Sequence, residues 1–367
     1  MRAIFAFSIM IITKESLEHF TTQVFEKMGC SIEHAIVAAS VLLKADLRGI
    51  DSHGVARLSG YVRLWEKKRI NTIPQFKIEH ETFTTTTLNA DRALGLVSAP
   101  YGMELAIEKA KIYGCGFTSI INSNHFGIAA YHAMKALPHD MIGIAMTNAS
   151  PLVAPTHSTQ RMLGTNPMCY VFPAKKFQPV VVDMATSAAA NGKLEIAQRS
   201  GKTIPKGWVQ TKEGGETVDA NALKNGGSLL PLGSSVTNGS HKGYALSSVV
   251  DIFCGVLGGA NYGIWVPPFV AFLEPLTNLP GQGLGHFVGA IRVDAFRPAN
   301  EFTANMDQWI ESFKNAERGN PEQPIIIPGE PEYNEEQIRS KEGIPLHESV
   351  VLDLMQVAEK FGLHFNA

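Results

Sequence analysis

The feature that most restricts the fold is a set of short apolar runs in the middle of the chain, each ending in polar residues. The runs are "FTSIINSNHFG", "MIGIAMTNASP" and "VVVDMATS". Each is long enough for one buried strand that leads into a loop of small polar residues. Strand ends that face one cleft are where α/β proteins collect their chemistry. The pattern predicts an α/β fold with these candidate site residues: Asn122, Ser123, Asn124, His125, Asn148 and Asp183.

Amphipathic helices are predicted at both ends of the chain. Two open it, over "TKESLEHFTTQVFEKMG" and "SIEHAIVAASVLLKADLRG", and one closes it, over "HESVVLDLMQVAEKFGL". Apolar residues recur in all three at helical spacing, and Thr13 and Ser31 are candidate N-caps. A further helix is expected to begin at Asp51 or Ser52. Its expected buried row is Val55, Leu58, Val62 and Trp65.

The remaining segments predict a mixture of strands, helices and loops. Strands are expected in "FKIEHETFTTTTL", "HFVGAIRV" and "PIIIPGEPE", the last followed by an acidic Pro/Gly loop. Helices are expected around 99–113 and over "GYALSSVVDIFCGVLGG", and 199–240 is rich in loop-forming residues.

Composition indicates an ordinary compact enzyme of two to three domains. Of 367 residues, 45% are apolar and 18% charged, and the net charge of −2 favours neither nucleic acid nor an anionic membrane as partner. Four separated cysteines without metal-ligand spacing predict reduced thiols and a cytoplasmic location. The opening "MRAIFAFSIMIIT" is interpreted as a strand or extension, and no segment is long enough to span a bilayer.

Standard nucleotide and hydrolase motifs do not occur. "GQGLGHF" has the wrong third spacing for a dinucleotide fingerprint, and "SGKTIP" lacks the first glycine of a phosphate loop. H-E-x-x-H and G-x-S-x-G are also absent from the sequence. The chain is therefore neither a standard Rossmann nucleotide binder nor a recognisable hydrolase.

The stretch "DLRGIDSHGVARLSGY" carries the strongest chemical signal. On a helix, His53, Arg57 and Tyr61 would share one stripe, with Arg57 and Tyr61 at the edge between core and solvent. An enzyme acting on a 2-hydroxy acid needs an arginine for the carboxylate and a histidine of near-neutral pKa for the proton. Asp183 would supply a carboxylate that orients the imidazole. The alternative is a capping or core histidine at the start of a solvated helix.

Small polar residues elsewhere suit a nucleotide. "NSNHFG", "LGTNP" and "DMATS" would let a pyrophosphate or ribose approach the backbone, and "GSHKGYA" places Lys242 at a helix start. The alternatives are ordinary turns and a solvated lysine. The residues alone therefore indicate an α/β enzyme that acts on a small anion together with a nucleotide.

Taken in order, these motifs resemble the malate/L-lactate dehydrogenase family that lacks the Rossmann fold. The matching stretches include "DLRGIDSHGVARLSGY", "NSNHFGIAAYH", "VVVDMATSAAANGKLEIA", "GSHKGYALSSVVDIFCGVLGGA" and "PGEPE", spread over nearly the whole chain. The resemblance implies a nicotinamide cofactor bound by a non-Rossmann mixed β-sheet domain, a helical domain built from both termini, and homodimers that share the active site. It divides the chain into a helical substrate and dimerisation part, 1–75 plus 331–367, and a cofactor domain, 76–330, with a loop- and helix-rich insertion at about 190–260.

The resemblance also implies roles for individual residues. His53 matches the proton donor/acceptor of some members, beside Arg57 at the substrate carboxylate, whereas His125 matches the proton acceptor of others. The catalytic candidates are His53, Arg57, His125 and Asp183. The substrate-binding candidates are Ser52, Arg57, Tyr61 and Arg48. The cofactor-binding candidates are Asn124, His125, Asn148, Gly164, Thr165, Asn166, Asp183, Met184, Ala185, Thr186, Ser187, His241, Lys242, Gly243, Pro328, Gly329 and Glu330.

The expected reaction is hydride transfer between NAD, with NADP as an alternative, and a small 2-hydroxy/2-keto acid. Malate is the expected substrate, and L-lactate, L-sulfolactate and ureidoglycolate are the alternatives. A metal-dependent hydrolase or lyase is the rival of a different class, although no paired ligand spacing supports a metal site. A catalytically inactive binding protein is a second rival.

Overall fold

The computed structural model describes residues 9–365 and alternates helices with strands. In chain order the elements are β1 (Ile9–Ile12), α1 (Lys14–Lys27), α2 (Ile32–Leu47), α3 (Leu58–Glu66), β2 (Lys77–Glu81), β3 (Thr85–Asn89), α4 (Gly95–Tyr113), β4 (Cys115–Ser123), α5 (Ala129–Met134), β5 (Met141–Thr147), β6 (Met168–Phe172), β7 (Val180–Met184), α6 (Asn191–Arg199), β8 (Val209–Gln210), β9 (Ser228–Leu229), α7 (Ser240–Asp251), β10 (Leu284–Arg292), α8 (Ala299–Lys314), α9 (Glu330–Glu342), β11 (Ile344–His347) and α10 (Glu348–Phe361). A π-helical turn, Ile252–Val256, continues α7.

A seven-stranded mixed sheet forms the centre of the fold. Its strand order is β2-β3-β4-β10-β5-β6-β7, and only β3 and β4 run parallel. Helices cover both faces: Met103 of α4 packs with Val288 of β10 on one side, and Val250 of α7 packs with Phe287 on the other. A largely antiparallel sheet cannot be the all-parallel, doubly wound sheet of a Rossmann domain. The prediction of a non-Rossmann mixed sheet is confirmed.

A helical core joins the two ends of the chain. Leu17 of α1, Leu42 of α2, Leu58 of α3 and Leu354 of α10 lie in one buried cluster. Strand β1 pairs antiparallel with β11 and ties the described start of the chain to its last helix. The predicted helical part built from both termini and the N-terminal strand are therefore confirmed, although residues 1–8 of that strand or extension lie outside the described range.

Local sequence signals explain where the first helices begin. The hydroxyl oxygens of Thr13 and Ser31 accept hydrogen bonds from the N–H groups of Ser16 and His34, both at 3.3 Å. These bonds satisfy backbone donors that a helix N-terminus leaves without partners. Both predicted caps are correct.

The helix after α2 begins later than the sequence pattern indicates. Residues Asp51–His53 and Val55–Arg57 form two short 3-10 turns, separated by Gly54 at φ −86°, ψ −146°. This backbone conformation interrupts the helical hydrogen-bond ladder, and α3 begins only at Leu58. The expectation of one helix from Asp51 or Ser52 is wrong, although its buried row is correct for Val55, Leu58 and Val62.

The predicted last strand in "PIIIPGEPE" is also wrong. Residues 324–327 form no strand, because Pro324 and Pro328 lack the N–H donors of a ladder, and the acidic residues begin α9 instead. The sequence pattern also missed the strands β6, β8, β9 and β11 and the helices α5, α6, α8 and α9. No helix within residues 9–365 has the length and apolar character needed to cross a membrane.

Candidate active site

Two imidazoles from distant parts of the chain meet at the edge of the helical core. His53 lies in the first 3-10 turn after α2, and His125 follows the end of β4. Their rings stack with centroids 5.8 Å apart and an angle of 26° between their planes. Together with Ser52, Arg57 and Tyr61 they form what we call the histidine cluster. Folding therefore brings together two segments that the sequence marked separately.

His125 is held by two hydrogen-bond donors at the same ring nitrogen. Nδ1 lies 2.7 Å from the Tyr61 hydroxyl and accepts from the N–H of Gly127 at 3.3 Å. Burial raises the pKa of Tyr61, so its hydroxyl keeps its proton and donates it. In the neutral ring the proton then lies on Nε2. Burial, and secondly the neighbouring titratable ring of His53, lower the pKa of His125 well below its ordinary value.

Tyr61 occupies a different position from the expected edge. Its side chain is 0% exposed within the helical core, and only its hydroxyl reaches the histidine cluster. Phe269 closes the same corner, with its ring centroid 4.6 Å from that of His125 and 5.2 Å from that of Tyr61. Sequence reasoning missed Phe269, because it lies in an irregular Pro/Gly-rich segment without periodicity.

His53 and Arg57 retain polar groups for a ligand. Nδ1 of His53 lies 2.8 Å from the Ser52 hydroxyl, and Nε of Arg57 donates to the Ser52 carbonyl at 2.6 Å. Neither terminal nitrogen of the guanidinium has a hydrogen-bond partner within residues 9–365, so both can bind an anion. Gly192, at the start of α6, faces this guanidinium: a Cβ built there would lie 3.8 Å from Nη2. Burial, and secondly the Arg57 charge, lower the pKa of His53 to about 4.

The expected carboxylate partner of a catalytic imidazole is not Asp183. Its Oδ2 accepts a hydrogen bond from the N–H of Ala130 at 2.9 Å. Within residues 9–365 the two histidines pair with hydroxyl groups instead, those of Ser52 and Tyr61. Burial raises the pKa of Asp183 to about 6, and the Ala130 hydrogen bond opposes this shift. This expectation is corrected, since β7 ends against α5 rather than beside His53.

Asp183 instead lines a separate cleft of about 390 Å³. We call it the Asp183 cleft. Its wall includes Met184 from β7 and Pro328 and Gly329 from the turn before α9. Arg48, expected as a substrate donor, lies here: its Nη1 reaches Glu336 at 3.3 Å, and its buried Nε has no partner among the described residues. Glu332 adds a second carboxylate to the wall.

Several candidate cofactor residues use their side chains inside the protein. Asn148 donates to the carbonyl of Asn261 at 2.7 Å and accepts from the N–H of Gly285 at 3.2 Å. Asn166 accepts from the N–H of Ala149. The side chains of Asn124, Thr186 and Ser187 donate to backbone carbonyl groups. The residues with such internal bonds are Asn124, Asn148, Asn166, Thr186 and Ser187.

The remaining candidates lie at turns and at a helix start. His241 and Lys242 are exposed in the first turn of α7, which contains no acidic residue, and Gly243 packs against Leu232. A Cβ at Gly164 would overlap the Ala149 backbone. Gly329 has φ +87° and caps α9, whose first residue is Glu330. Thr165 and Ala185 are half-buried beside these turns.

His286 is a buried histidine that the sequence did not mark. It is 0% exposed on β10, with Nδ1 2.8 Å from the Thr147 hydroxyl and Nε2 2.8 Å from the Ser123 hydroxyl. Burial lowers its pKa to about 3. The strand pattern of "HFVGAIRV" contains no signal for this network, which ties three neighbouring strands together.

In residues 9–365, no three His, Cys, Asp or Glu side chains cluster so as to hold a metal ion.

Known proteins match the chain over nearly its whole length. The family model described as malate/L-lactate dehydrogenase matches residues 12–355. The malate dehydrogenase of Pyrococcus abyssi is 40% identical over 353 residues, covering 96% of this chain and 95% of that protein. The malate/(S)-sulfolactate dehydrogenase of Methanothermus fervidus is 38% identical over 354 residues, covering 96% and 99%.

A solved structure has the same fold. The crystal structure of malate dehydrogenase from Entamoeba histolytica superimposes with a TM-score of 0.90 at 34% identity, covering 97% of this chain and 99% of that one. Sequence and fold thus agree over the helical core, the mixed sheet and the segments that carry the histidine cluster. The chain belongs to the malate/L-lactate dehydrogenase family.

Proposed function

We propose that this protein transfers a hydride between NAD and a small 2-hydroxy acid, with malate and oxaloacetate as its substrate pair. The observation that carries the proposal is the histidine cluster, where a guanidinium whose terminal nitrogens have no partner in the described part of the chain lies beside two neutral imidazoles. A 2-keto acid presents a carboxylate and an adjacent oxygen to these groups. Malate is preferred because the relatives from Pyrococcus abyssi and Methanothermus fervidus are named for it.

Each side chain of the cluster takes one role in this proposal. Arg57 binds the substrate carboxylate through its two terminal nitrogens. His53 exchanges the proton with the carbon-bound oxygen, since its single hydroxyl partner, Ser52, can act as either donor or acceptor. His125 stays neutral and donates from Nε2, because two donors already occupy Nδ1. The two histidines thus hold the same oxygen in different ways.

The donor groups of the chain suit a nicotinamide dinucleotide, which supplies or accepts the hydride when bound. The start of α7, with Lys242 and no acidic residue in its first turn, suits the pyrophosphate. The Asp183 cleft holds two carboxylates, Asp183 and Glu332, which suit ribose hydroxyl groups and repel an additional phosphate, while the charge of Arg48 in the same wall is offset by Glu336. This charge distribution favours NAD over NADP.

The test is a panel of 2-keto acids offered with NADH and with NADPH, followed by the absorbance of the reduced nicotinamide. We expect oxaloacetate with NADH to react fastest, ahead of pyruvate and sulfopyruvate. Failure of every keto acid with both cofactors would exclude the dehydrogenase. Activity should also survive extensive chelation; loss with EDTA that zinc or manganese restores would favour the metal-dependent rival.

An apolar stripe on α7 and its π-helical continuation supports a homodimer. Leu246, Val249, Phe253 and Leu257 recur at helical spacing and are 36%, 41%, 37% and 60% exposed. Exposed apolar surface of this extent marks an interaction site. Val249→Glu should convert the dimer to a monomer in light scattering, whereas Ile112→Glu, at an exposed apolar residue of α4, should not. A monomeric wild-type protein would exclude the homodimer.

A cytoplasmic location agrees with the state of the cysteines. All four, Cys30, Cys115, Cys169 and Cys254, are free thiols. Reduced thiols are typical of proteins in the reducing cytosol.

A further inference from the structure

The turn that carries His53 and Arg57 rests on a buried carboxyl group from the preceding helix. Asp46 lies near the end of α2 and is 1% exposed. Its Oδ2 accepts a hydrogen bond from the N–H of Val55 at 2.8 Å, whereas its Oδ1 has no partner in the described part of the chain. A half-satisfied buried carboxyl group destabilises a protein, and such groups are expected at sites where they serve a function.

Gly54 and the Asp46 carboxyl group occupy one space between them. A Cβ built on Gly54 would overlap the carboxyl carbon and both oxygens of Asp46. The backbone itself does not require glycine here, because φ is −86°. The carboxyl group is therefore what excludes a side chain, and it sets how closely the turn approaches α2.

Backbone hydrogen bonds and chain connectivity link Gly54 directly to the histidine cluster. The N–H of Arg57 donates to the Gly54 carbonyl at 2.9 Å, and the His53 N–H donates to the Ile50 carbonyl at 2.9 Å. On the other side, Nη1 of Arg339 donates to the Asp46 carbonyl at 2.6 Å. A shift of Gly54 would thus move His53, which precedes it, and Arg57, which is hydrogen-bonded to it.

We propose that Asp46 is a positioning residue, whose carboxyl group holds Gly54 and Val55 so that the His53 imidazole and the Arg57 guanidinium meet one substrate. This inference rests on the proposed function and adds a residue that never touches the substrate. Catalysis is sensitive to such placement, since a displacement of about 1 Å costs up to about 10²-fold in rate. Burial raises the pKa of Asp46 well above its ordinary value, so an uncharged side chain of the same shape is a suitable replacement.

The first experiment compares Asp46→Ala with Asp46→Asn in steady-state kinetics with oxaloacetate and NADH. Asp46→Ala should lower kcat/KM for the keto acid at least about 10-fold, with the KM for NADH unchanged. Asp46→Asn should recover most of this loss, because its amide oxygen still accepts from Val55. Leu17→Ala, in the same helical core, is the control: it should lower the Tm without changing the KM. Equal kinetics in Asp46→Ala and Leu17→Ala would overturn the proposal.

A double-mutant cycle tests the contact itself. Gly54→Ala should lower kcat/KM for the keto acid in the enzyme that retains Asp46. In the Asp46→Ala background it should lower kcat/KM little further, because the smaller side chain leaves room for the new methyl group. Additive effects would contradict the proposal. The backbone amide hydrogens of residues 50–58 should also exchange with solvent faster in Asp46→Ala than in Leu17→Ala. This readout does not depend on turnover: an inactive wild-type protein with the exchange difference intact would refute the proposed function and leave the contact standing.

Discussion

Two histidines in contact can have opposite roles when their ring partners differ. Nδ1 of His125 accepts from the N–H of Gly127, which can only donate, so adding a proton there would break that hydrogen bond. Nδ1 of His53 faces the Ser52 hydroxyl, which can reverse its direction when the ring gains a proton. This asymmetry supports His53 as the group that gives and takes the proton.

Binding of a keto acid analogue should take up a proton at His53. Because its pKa is about 4, the His53 imidazole is uncharged at pH 7 in the enzyme without ligand. A carboxylate on Arg57 offsets the positive charge that lowers this pKa, so the pKa rises on binding and a proton is taken up. Calorimetry of oxamate binding to the NADH complex, in buffers of different ionisation enthalpy, measures the uptake.

Two variants complete this prediction. His53→Asn should abolish the uptake and lower kcat at least about 10²-fold. His125→Asn should retain the uptake and more turnover, but bind the ligand more weakly. Uptake that persists in His53→Asn and is lost in His125→Asn would assign the proton to His125.

Arg57→Lys should weaken binding of the keto acid and leave cofactor binding nearly intact. An ammonium cannot reproduce the two parallel hydrogen bonds of a guanidinium, nor the bond from Nε to the Ser52 carbonyl. We expect a loss of about 2 kcal/mol in transition-state stabilisation, measured as kcat/KM for oxaloacetate. An equal loss of NADH affinity would place Arg57 at the cofactor instead.

Among the helices and strands, the start of α4 supports the loop that carries His125. Gly95 is the first residue of α4 and packs directly beneath this loop. A Cβ at Gly95 would overlap the Asn124 carbonyl and approach the His125 carbonyl to 2.6 Å. The loop after β4 can thus pack closely on α4 only because residue 95 has no side chain.

Gly95→Ala should therefore displace His125 as well as destabilise the fold. Overpacking of this kind costs about 1–3 kcal/mol, so the Tm should fall by several degrees. Turnover of oxaloacetate should fall further than the Tm change alone explains. Gly319→Ala is the matched control, since a Cβ there meets nothing within 4 Å. Full activity of Gly95→Ala would show that the loop adapts.

For the molecule taken together, buried ionisable groups predict an unusual dependence of stability on pH. Burial lowers the pKa of His132 and of His286 to about 3 and that of His53 to about 4. The unfolded chain binds more protons at these sites, so they favour unfolding as the pH falls below about 6.5. Burial raises the pKa of Asp183 and Asp251 to about 6, so these groups favour folding as the pH falls from about 6 to 4.

The two effects oppose each other between pH ~6 and ~4, and between pH ~4 and ~3 only His132 and His286 still act. We expect the free energy of unfolding to fall gradually between pH ~6 and ~4.5 and more steeply between pH ~4 and ~3. Urea unfolding across this range, with the proton uptake on unfolding, measures both effects. A steep loss already between pH ~6.5 and ~5 would show that the two carboxyl groups stay ionised in the folded protein.

Short-range patterns in the sequence were sufficient for the helices at both ends, for the strands β4, β5, β7 and β10, and for the segment that forms β2 and β3. The interactions that begin and pattern these helices join residues a few positions apart, so the sequence alone shows every group involved. Examples are the caps Thr13 and Ser31 and the apolar rows of α1, α2 and α10. The stretch around His53 and the strand end at His125 were recognised for the same reason. Their residue types and spacing are chemical signals that need no knowledge of the fold.

Contacts between distant residues were beyond such patterns. The sequence predicted a helix through His53, but the structure has two 3-10 turns there, separated by Gly54, which packs against the Asp46 carboxyl group. It placed Tyr61 at an edge and Asp183 beside an imidazole. In the structure Tyr61 is buried against His125, 64 residues away, and Asp183 is bonded to Ala130. The reason is physical: spacing along a chain fixes which face of an element is apolar, whereas a buried polar group takes its partner from whichever segment packing brings within hydrogen-bond distance.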